Sequence, residues 1–157
     1  MRTGSRARER APDELDGPVY LDSSGLAKLY LPEPDSAALE RVLRGRADLL
    51  VSDLVVTEIV SAVSRRRRAG GIPPAAAGPI HRALLAHLQA GLYRAVDLSP
   101  GVHREAERLL LALEAIPLRA ADALHVALAL AAGAATVVTF DARLAAASRA
   151  VGLRSFP

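Results

Sequence analysis

Four acidic residues stand apart from the other carboxylates of the chain, because each lies in apolar surroundings or directly after an apolar run. They are Asp22, Glu58, Asp122 and Asp141. Most of the other acidic residues flank predicted helix starts and turns or lie at solvated helix positions, where a carboxylate has an ordinary structural role. A buried, unpaired carboxylate is costly unless hydrogen bonds or a cation compensate its charge. We therefore take these four residues as candidates for a cation site.

Asp22 and Asp141 each follow a short apolar segment and precede a predicted helix. Asp22 comes after the segment VYL, and Asp141 comes after TVVTF. In open α/β sheets, ligands bind beyond the carboxyl ends of the strands, so both residues would face the usual ligand crevice. Either residue could equally be a helix N-cap. If the two strands are neighbours in the sheet, the carboxylates meet, and their mutual repulsion then requires a cation.

Glu58 and Asp122 lie inside predicted helices. Glu58 has Leu54 and Ala62 one turn away on either side, so its own helix offers no salt bridge, although a distant arginine could supply one. Asp122 lies in a helix that is apolar nearly all round, where it forms a polar stripe with His125. An Asp-x-x-His pair can bind a metal ion, but such a histidine can equally be a packed or supporting residue. We favour a functional role for Glu58 and Asp122 and a structural role for His125.

The absence of cysteine limits the chemistry of a metal site to oxygen and imidazole ligands. Carboxylate oxygens favour Mg²⁺ or Mn²⁺, and a Mg²⁺ site typically uses few carboxylates and keeps several waters. Such an ion lowers the pKa of a bound water and neutralises charge on a reacting phosphate. The four carboxylates therefore fit hydrolysis of a phosphodiester bond, with either one ion or two.

The elements that must position these residues are short β-like runs that alternate with helical segments. The predicted strands cover residues 19–22, 48–52, 93–97 and 135–139, with a short last strand near 153–155. Helix-start signals occur at residues 34–36, 52–53 and 99–100, and a Gly- and Pro-rich segment at 70–74 separates the two helices of a predicted hairpin. The alternation predicts an α/β fold with a parallel sheet covered by helices on both faces.

Composition indicates one domain. The chain has 157 residues with 51% hydrophobic content, enough for a single core. We assign residues 18–157 to this domain and residues 1–17, which lack an apolar period, to a disordered tail. The net charge of +3 is weak evidence for nucleic acid, since much of the excess lies in the first ten residues. No stretch approaches the roughly 20 apolar residues of a membrane span, and no secretory signal is recognisable, so we expect a cytoplasmic protein.

The four acidic segments, taken in order, resemble the motifs of PIN-domain proteins. The segments are YLDSS at 20–24, TE at 57–58, RAADALH at 119–125 and VTFD at 138–141, and the resemblance runs from Val19 to about Phe156. It implies a three-layer α/β/α domain with a central parallel sheet and metal-dependent endoribonuclease activity. Carried over residue by residue, it makes Asp22, Glu58, Asp122 and Asp141 the metal-site residues that use Mg²⁺ or Mn²⁺. It makes Ser24 and Thr139 supporting polar groups.

The resemblance also implies partners. Many small members of the family are VapC-type toxins, so it implies an RNA substrate, a VapB-like antitoxin and a homodimer. We expect an antitoxin to cover apolar surface near Leu26, Leu29, Tyr30 and Leu31.

Other interpretations remain open at this point. A catalytically silent RNA- or protein-binding module would keep the same fold. A phosphoacceptor receiver domain would need a lysine near the last strand, whereas the only lysine, Lys28, is near the first. The arginines at 65–68 could contact RNA phosphates, but we favour the simpler role of cations at a helix C-terminus.

Overall fold

The computed structural model describes residues 15–157, and these form a parallel sheet with flanking helices. The strands are β1 (Val19–Leu21), β2 (Leu49–Ser52), β3 (Arg94–Val96), β4 (Thr136–Val138) and β5 (Arg154–Phe156). The helices are α1 (Ser23–Ala27), α2 (Ser36–Leu43), α3 (Asp53–Arg68), α4 (Ala77–Gln89), α5 (Pro100–Ala112), α6 (Ala120–Ala131) and α7 (Ala142–Ala150), with a 3-10 turn at Pro74–Ala76. All five predicted strands are present, with bounds shifted by one residue, so the predicted α/β fold is confirmed.

The strand order β3-β2-β1-β4-β5 brings the two strand-end aspartates together. All neighbouring strands run parallel, and Leu21 of β1 pairs with Val138 of β4. The chain builds outward from β1 to β3 on one side and returns to β4 on the other, which makes the β1–β4 boundary the switch point of the sheet. Ligand crevices of open α/β sheets form at such points. Asp22 and Asp141 follow these two adjacent strands.

The core lies between the sheet and its helices. The three central strands, β1, β2 and β4, are buried at every residue. Helix α6 is buried along most of its length, with Val126, Ala127 and Leu128 fully inaccessible, and it packs against α5 and α7. A helix that is apolar nearly all round is expected to be enclosed in this way. The sheet and α6 therefore form a fixed frame beneath the strand ends.

Predicted helix starts coincide with observed ones. The Ser99 side chain accepts a hydrogen bond from the backbone N–H of Val102, and Pro100 occupies the first helical position of α5. Helices α3 and α4 pack against each other on either side of the 70–74 segment, as the predicted hairpin requires.

The domain extends a few residues before the predicted boundary at Pro18. Leu15 packs against the core, and its backbone carbonyl accepts a hydrogen bond from Arg46. The carbonyl of Asp16 accepts a hydrogen bond from Thr136 at 2.6 Å. Residues 15–17, assigned to the tail from the sequence, are therefore part of the fold, whereas the rest of the predicted tail lies outside the described residues. Within residues 15–157, no helix is long and apolar enough to cross a membrane.

The prediction of an apolar surface for a protein partner is wrong for two of its four residues, because these two are buried. Leu26 is fully buried and Leu31 is 7% exposed, because both pack into the core beneath α1. Leu29 and Tyr30 are partly buried against the same core, and the Tyr30 hydroxyl is hydrogen-bonded to His87. These side chains complete the domain's own packing. Among the described residues, the large apolar side chains that are exposed are Leu85, Leu92, Leu98, Leu110 and Leu111.

Gly25 controls how closely α1 approaches β4. A Cβ atom at this position would lie 2.8 Å from the carbonyl oxygen and 2.9 Å from Cγ1 of Val138. Because the carbonyl belongs to a central strand, the helix itself must move, and we expect Gly25→Ala to lower the free energy of unfolding by about 1–3 kcal/mol. Urea unfolding of the purified variant measures this loss.

Gly101→Ala is the matched control for that substitution. A Cβ atom there meets nothing closer than the Ser99 hydroxyl at 3.7 Å, and the residue lies in helix α5. Alanine is the better helix former, so stability should stay constant or rise by up to about 1 kcal/mol. Equal unfolding midpoints for the Gly25 and Gly101 variants would contradict the close contact between α1 and β4.

Candidate active site

All four predicted carboxylates line one cavity at the carboxyl ends of β1 and β4. The cavity has a volume of about 340 Å³. Its lining comprises Asp22, Ser23, Ser24, Glu58, Arg65, Arg119, Ala121, Asp122, His125, Asp141, Arg143 and Leu144. The carboxylates come from four different parts of the chain, and the fold brings them to one place.

Asp22 is the deepest of the four carboxylates, with 3% of its surface exposed. It caps α1 through a 2.7 Å hydrogen bond from the backbone N–H of Gly25. The Ser24 hydroxyl lies 2.8 and 2.9 Å from its two oxygens, and the Thr139 hydroxyl donates to it at 2.7 Å. Burial raises the pKa of Asp22, and these hydrogen bonds offset only part of that effect. Among the described residues Asp22 forms no salt bridge, and the attraction of His125 likewise offsets only part of the effect of burial.

Ser24 and Thr139 also join the ends of β1 and β4. The backbone N–H of Phe140 donates to the Ser24 hydroxyl at 2.8 Å, and that of Asp141 donates to the Thr139 hydroxyl at 3.1 Å. Both hydroxyls thus contact the Asp22 carboxylate and the segment that carries Asp141. The two side chains predicted as supporting groups lie where they fix the relative position of the two aspartates.

Asp141 caps α7 and contacts an arginine. Its carboxylate accepts hydrogen bonds from the backbone N–H groups of Arg143 and Leu144, and Nη2 of Arg143 lies 3.3 Å from its second oxygen. Burial is the largest influence and raises the pKa of Asp141, but the Arg143 guanidinium and the backbone donors together outweigh it and leave the pKa lowered. Asp141 therefore stays ionised in the cavity.

Glu58 is held by a buried histidine. Nε2 of His125 lies 2.6 Å from Oε2 of Glu58, and Nδ1 of the same ring lies 2.9 Å from the Tyr20 hydroxyl, which in turn lies 3.1 Å from Ser52 Oγ. An ionised carboxylate only accepts, so Nε2 donates to Glu58. His125 is 2% exposed. The relay of Ser52, Tyr20 and His125 thus anchors Glu58 to the sheet.

The net effect of this arrangement is to keep Glu58 charged. Its side chain is 30% exposed at the cavity wall. Burial acts most strongly and raises the pKa, but the hydrogen bond and attraction of His125, together with a hydrogen bond to Ser23, lower it below its usual range. The partner of Glu58 is therefore the imidazole of α6, in place of the distant arginine considered from the sequence.

Asp122 lies in the first turn of α6. Its Oδ2 accepts a hydrogen bond of 3.0 Å from the backbone N–H of Arg119, the residue before the helix. An acidic side chain is favourable at this end of a helix. This bond turns the carboxylate toward the helix start, at the rim of the cavity.

A model of the PIN domain family matches residues 19–150. The chain belongs to the PIN-domain family. Ribonuclease VapC46 of Mycobacterium tuberculosis is 34% identical to it over 143 residues, which cover 86% of this chain and 93% of that relative. The predicted family is thereby confirmed.

Solved structures share the fold of this PIN domain. Mycobacterium tuberculosis VapC20, described as a Sarcin-Ricin loop cleaving toxin, has a TM-score of 0.64 at 19% identity, with 82% of this chain and 94% of that chain covered. VapBC2 from Rickettsia felis, bound to a DNA fragment from their promoter, has a TM-score of 0.61 at 19% identity, with coverages of 88% and 96%. At these identities the likeness establishes the three-layer architecture and the parallel sheet.

The donor set of this PIN domain fits a hard divalent cation. The cavity supplies carboxylate oxygens, and burial raises the pKa of its Asp22, a cost that a bound cation would reduce. Within residues 15–157, no three acidic or histidine side chains are already arranged as a complete ligand group. Mg²⁺ does not need such a group, since it binds through one or two carboxylates and keeps several waters.

Three arginines line the cavity of this PIN domain: Arg119 and Arg143 were missed from the sequence, whereas Arg65 was considered for RNA contact and assigned to a helix C-terminus. Arg143 contacts Asp141. Arg119 comes three residues before Asp122, and Arg143 comes two residues after Asp141. These spacings place each arginine beside an acidic motif, which is the sequence signal that could have identified them. The lysine required by the receiver-domain alternative is absent from this cavity.

Proposed function

We propose that this protein is a metal-dependent endoribonuclease that hydrolyses phosphodiester bonds in RNA. The observation that carries the proposal is the cavity at the β1–β4 switch point, which four carboxylates from separate parts of the chain line. The identity of 34% to Ribonuclease VapC46 over most of both chains supports RNA as the substrate.

We assign the ligands of Mg²⁺ or Mn²⁺ to the set Asp22, Glu58, Asp122 and Asp141, of which such an ion would need one or two directly beside its waters. When bound, such an ion activates a water molecule for attack and neutralises charge that develops on the phosphate. The protein contributes fixed positions for its carboxylates, because supporting hydrogen bonds orient metal ligands and tune their basicity. Ser24 and Thr139 do this for Asp22, and His125 does it for Glu58.

The cavity's arginines give it the charge pattern that an RNA substrate needs. The carboxylates alone would repel a phosphodiester, whereas guanidinium groups donate hydrogen bonds to phosphate oxygens in a planar arrangement. Arg65 and Arg119 are exposed and have no ion pair within the described part of the chain, so both are free to contact the RNA backbone. Arg143, which contacts Asp141, is the third cation at this position.

The proposal extends to the biological setting of the enzyme. We propose that it is the toxin of a toxin–antitoxin pair, with an antitoxin as partner, and that it forms a homodimer. VapC20, which has the same fold, is described as a toxin, and VapBC2 is a complex bound to a fragment of promoter DNA. Expression with the flanking genes should co-purify a small partner protein, and a chain that is harmless and monomeric when expressed alone would contradict this setting.

Cleavage of total RNA by the purified chain tests the activity. We expect discrete fragments with Mn²⁺, none with EDTA, and at least about tenfold less cleavage by Asp122→Asn, a loss in the range typical of changes around a metal. The asparagine can still accept the backbone hydrogen bond from Arg119, so the helix start is preserved. Metal binding without any cleavage by a folded sample would favour the alternative of a silent binding module.

A further inference from the structure

A second cavity, of about 400 Å³, adjoins the cavity of the carboxylates. The two share Ser23, Ser24, Glu58 and Arg65 in their walls, so they lie side by side, and we treat them together as one groove. The remaining lining of the second cavity is Ala27, Lys28, Glu33, Ile59, Ser61, Ala62, Arg66 and Phe140. A molecule that occupies the first cavity and is longer than one nucleotide can therefore continue into the second.

The second cavity is net positive, since its three cations, Lys28, Arg65 and Arg66, outnumber its two carboxylates, Glu33 and Glu58. Glu33 forms ion pairs with both Lys28 and Arg66, and these cations lower the pKa of Glu33, so this cluster carries one excess positive charge. Lys28 Nζ has little donor capacity left for a ligand, because it donates to Glu33 and to the Pro34 carbonyl and lies 4.4 Å from the centre of the Phe140 ring. Arg65 has no ion pair among the described residues and is exposed. Arg65 is thus the cation that is available to a ligand.

The rest of the lining suits a nucleotide. Ser23, Ser24 and Ser61 line the groove, and so do the apolar residues Ala62 and Phe140. A site that combines a cation, hydroxyls and apolar walls matches a phosphate joined to a sugar and base.

We propose that this second cavity is a subsite for the nucleotide adjacent to the scissile phosphodiester, with the phosphate of that nucleotide bound by Arg65. The inference rests on the proposed ribonuclease function, since it assigns the path of the RNA through the same groove. Arg65 is a binding and positioning residue in this account. Its location at the junction of the two cavities sets the direction in which the RNA leaves the carboxylates.

The test measures the binding of a labelled poly-uridine oligonucleotide by fluorescence anisotropy. The buffer contains EDTA, which blocks metal-dependent turnover. We expect Arg65→Ala to weaken binding about tenfold, as the loss of one charge-assisted hydrogen bond to a phosphate. The slope of log affinity against log salt should become shallower by about 0.7, the value for one phosphate contact on a single strand. Arg65→Lys should restore most of the slope, because the charge is retained.

Arg68→Ala is the matched control, since Arg68 lies in the same last turn of α3 and lines neither cavity. It should leave both affinity and salt slope within error of wild type. Unchanged unfolding midpoints would show that neither variant acts through stability. Equal effects of the Arg65 and Arg68 variants would overturn the subsite. It would also be overturned if Arg65→Ala left RNA binding unchanged but weakened the binding of poly-glutamate, a polyanion without nucleotides.

The outcomes separate this inference from the proposed function. Arg65-dependent binding by a protein that cleaves no RNA under any metal condition would support the subsite and refute the ribonuclease. Metal-dependent cleavage and binding that are both unaffected by Arg65→Ala would support the ribonuclease and refute the subsite.

Discussion

Asp22→Asn should abolish RNA cleavage and, in the absence of metal, leave the protein at least as stable as wild type. The loss of activity should exceed about 100-fold, the upper end of the effect of residues that only support a metal ligand. The asparagine oxygen can still accept hydrogen bonds from Gly25 and Ser24, so the geometry of α1 is retained. The substitution therefore removes the charge of the carboxylate more than its shape.

The expected effect on stability follows from the direction of the pKa shift. Burial raises the pKa of Asp22, so the folded protein binds a proton more tightly at this site than the unfolded chain does. The contribution of Asp22 to stability is therefore largest at pH values below its pKa in the unfolded chain. This contribution is lost as the pH rises through the window between that pKa and the raised pKa of the folded protein. Above that window the ionised carboxylate is a cost to folding, which asparagine removes and a bound cation reduces.

Thermal unfolding with and without Mn²⁺ measures both parts of this prediction. In EDTA the Asp22→Asn variant should melt at or above wild type, with each kcal/mol worth about 2–4 °C in a chain of this size. Saturating Mn²⁺ should raise the melting temperature of wild type by more than that of the variant, because stabilisation by a ligand grows with the logarithm of its concentration relative to its Kd.

Asp97→Asn is the control for this experiment, since Asp97 is an exposed carboxylate that follows strand β3 and lines neither cavity. It should match wild type in cleavage and in its response to Mn²⁺. Full activity of Asp22→Asn would remove Asp22 from the metal site. A large loss of stability of that variant in EDTA would show that the carboxylate's hydrogen bonds outweigh the cost of its burial.

The strand-end aspartates show how much the sequence could predict. Two interpretations of these residues, as helix N-caps and as site residues, both hold in the structure. Local patterns located Asp22 and Asp141 at strand ends before helices, and left open whether each was an N-cap or a site residue. In the structure both are N-caps and both line the cavity. The two roles are compatible, because a capping carboxylate uses some of its lone pairs on backbone N–H groups and keeps others free.

The partner of Glu58 could not be predicted from local patterns. His125 is 67 residues away in sequence, and Tyr20 is 105 residues from His125. Their contact depends on how α3 and α6 pack over β1, and that packing is set by the strand order. The burial of Leu26 and Leu31 was missed for the same reason, since a short helix reveals its inner face only once its neighbours are known. The periodicity of apolar residues predicts individual helices and strands. Which of these elements pack together depends on the whole chain.

His125→Ala should both destabilise the protein and reduce cleavage. The ring is 2% exposed and bridges the Tyr20 hydroxyl and the Glu58 carboxylate, so alanine leaves a cavity and two polar groups without their partner. We expect a loss of about 2–4 kcal/mol in the free energy of unfolding, from the cavity together with an unsatisfied buried group. Cleavage should fall about 10–100-fold, as for other residues that orient a metal ligand.

Tyr20→Phe is the conservative comparison for the same relay. It keeps the aromatic ring in the core and removes the hydroxyl that contacts His125 and Ser52. The loss of stability should be about 1–2 kcal/mol. Cleavage should fall less than in His125→Ala, because Glu58 keeps its imidazole partner. Urea unfolding compares the stabilities of the two variants, and initial rates of cleavage compare their activities.

A double-mutant cycle separates positioning of Glu58 from a general loss of packing. If His125 acts on catalysis by holding Glu58, then His125→Ala should cost little further activity in a protein that already carries Glu58→Gln, although it should still lower stability. Residues that act through one another are non-additive in this way. Fully additive losses of activity would show that His125 affects the site through the fold alone, and Glu58 would then be oriented mainly by its own position on α3.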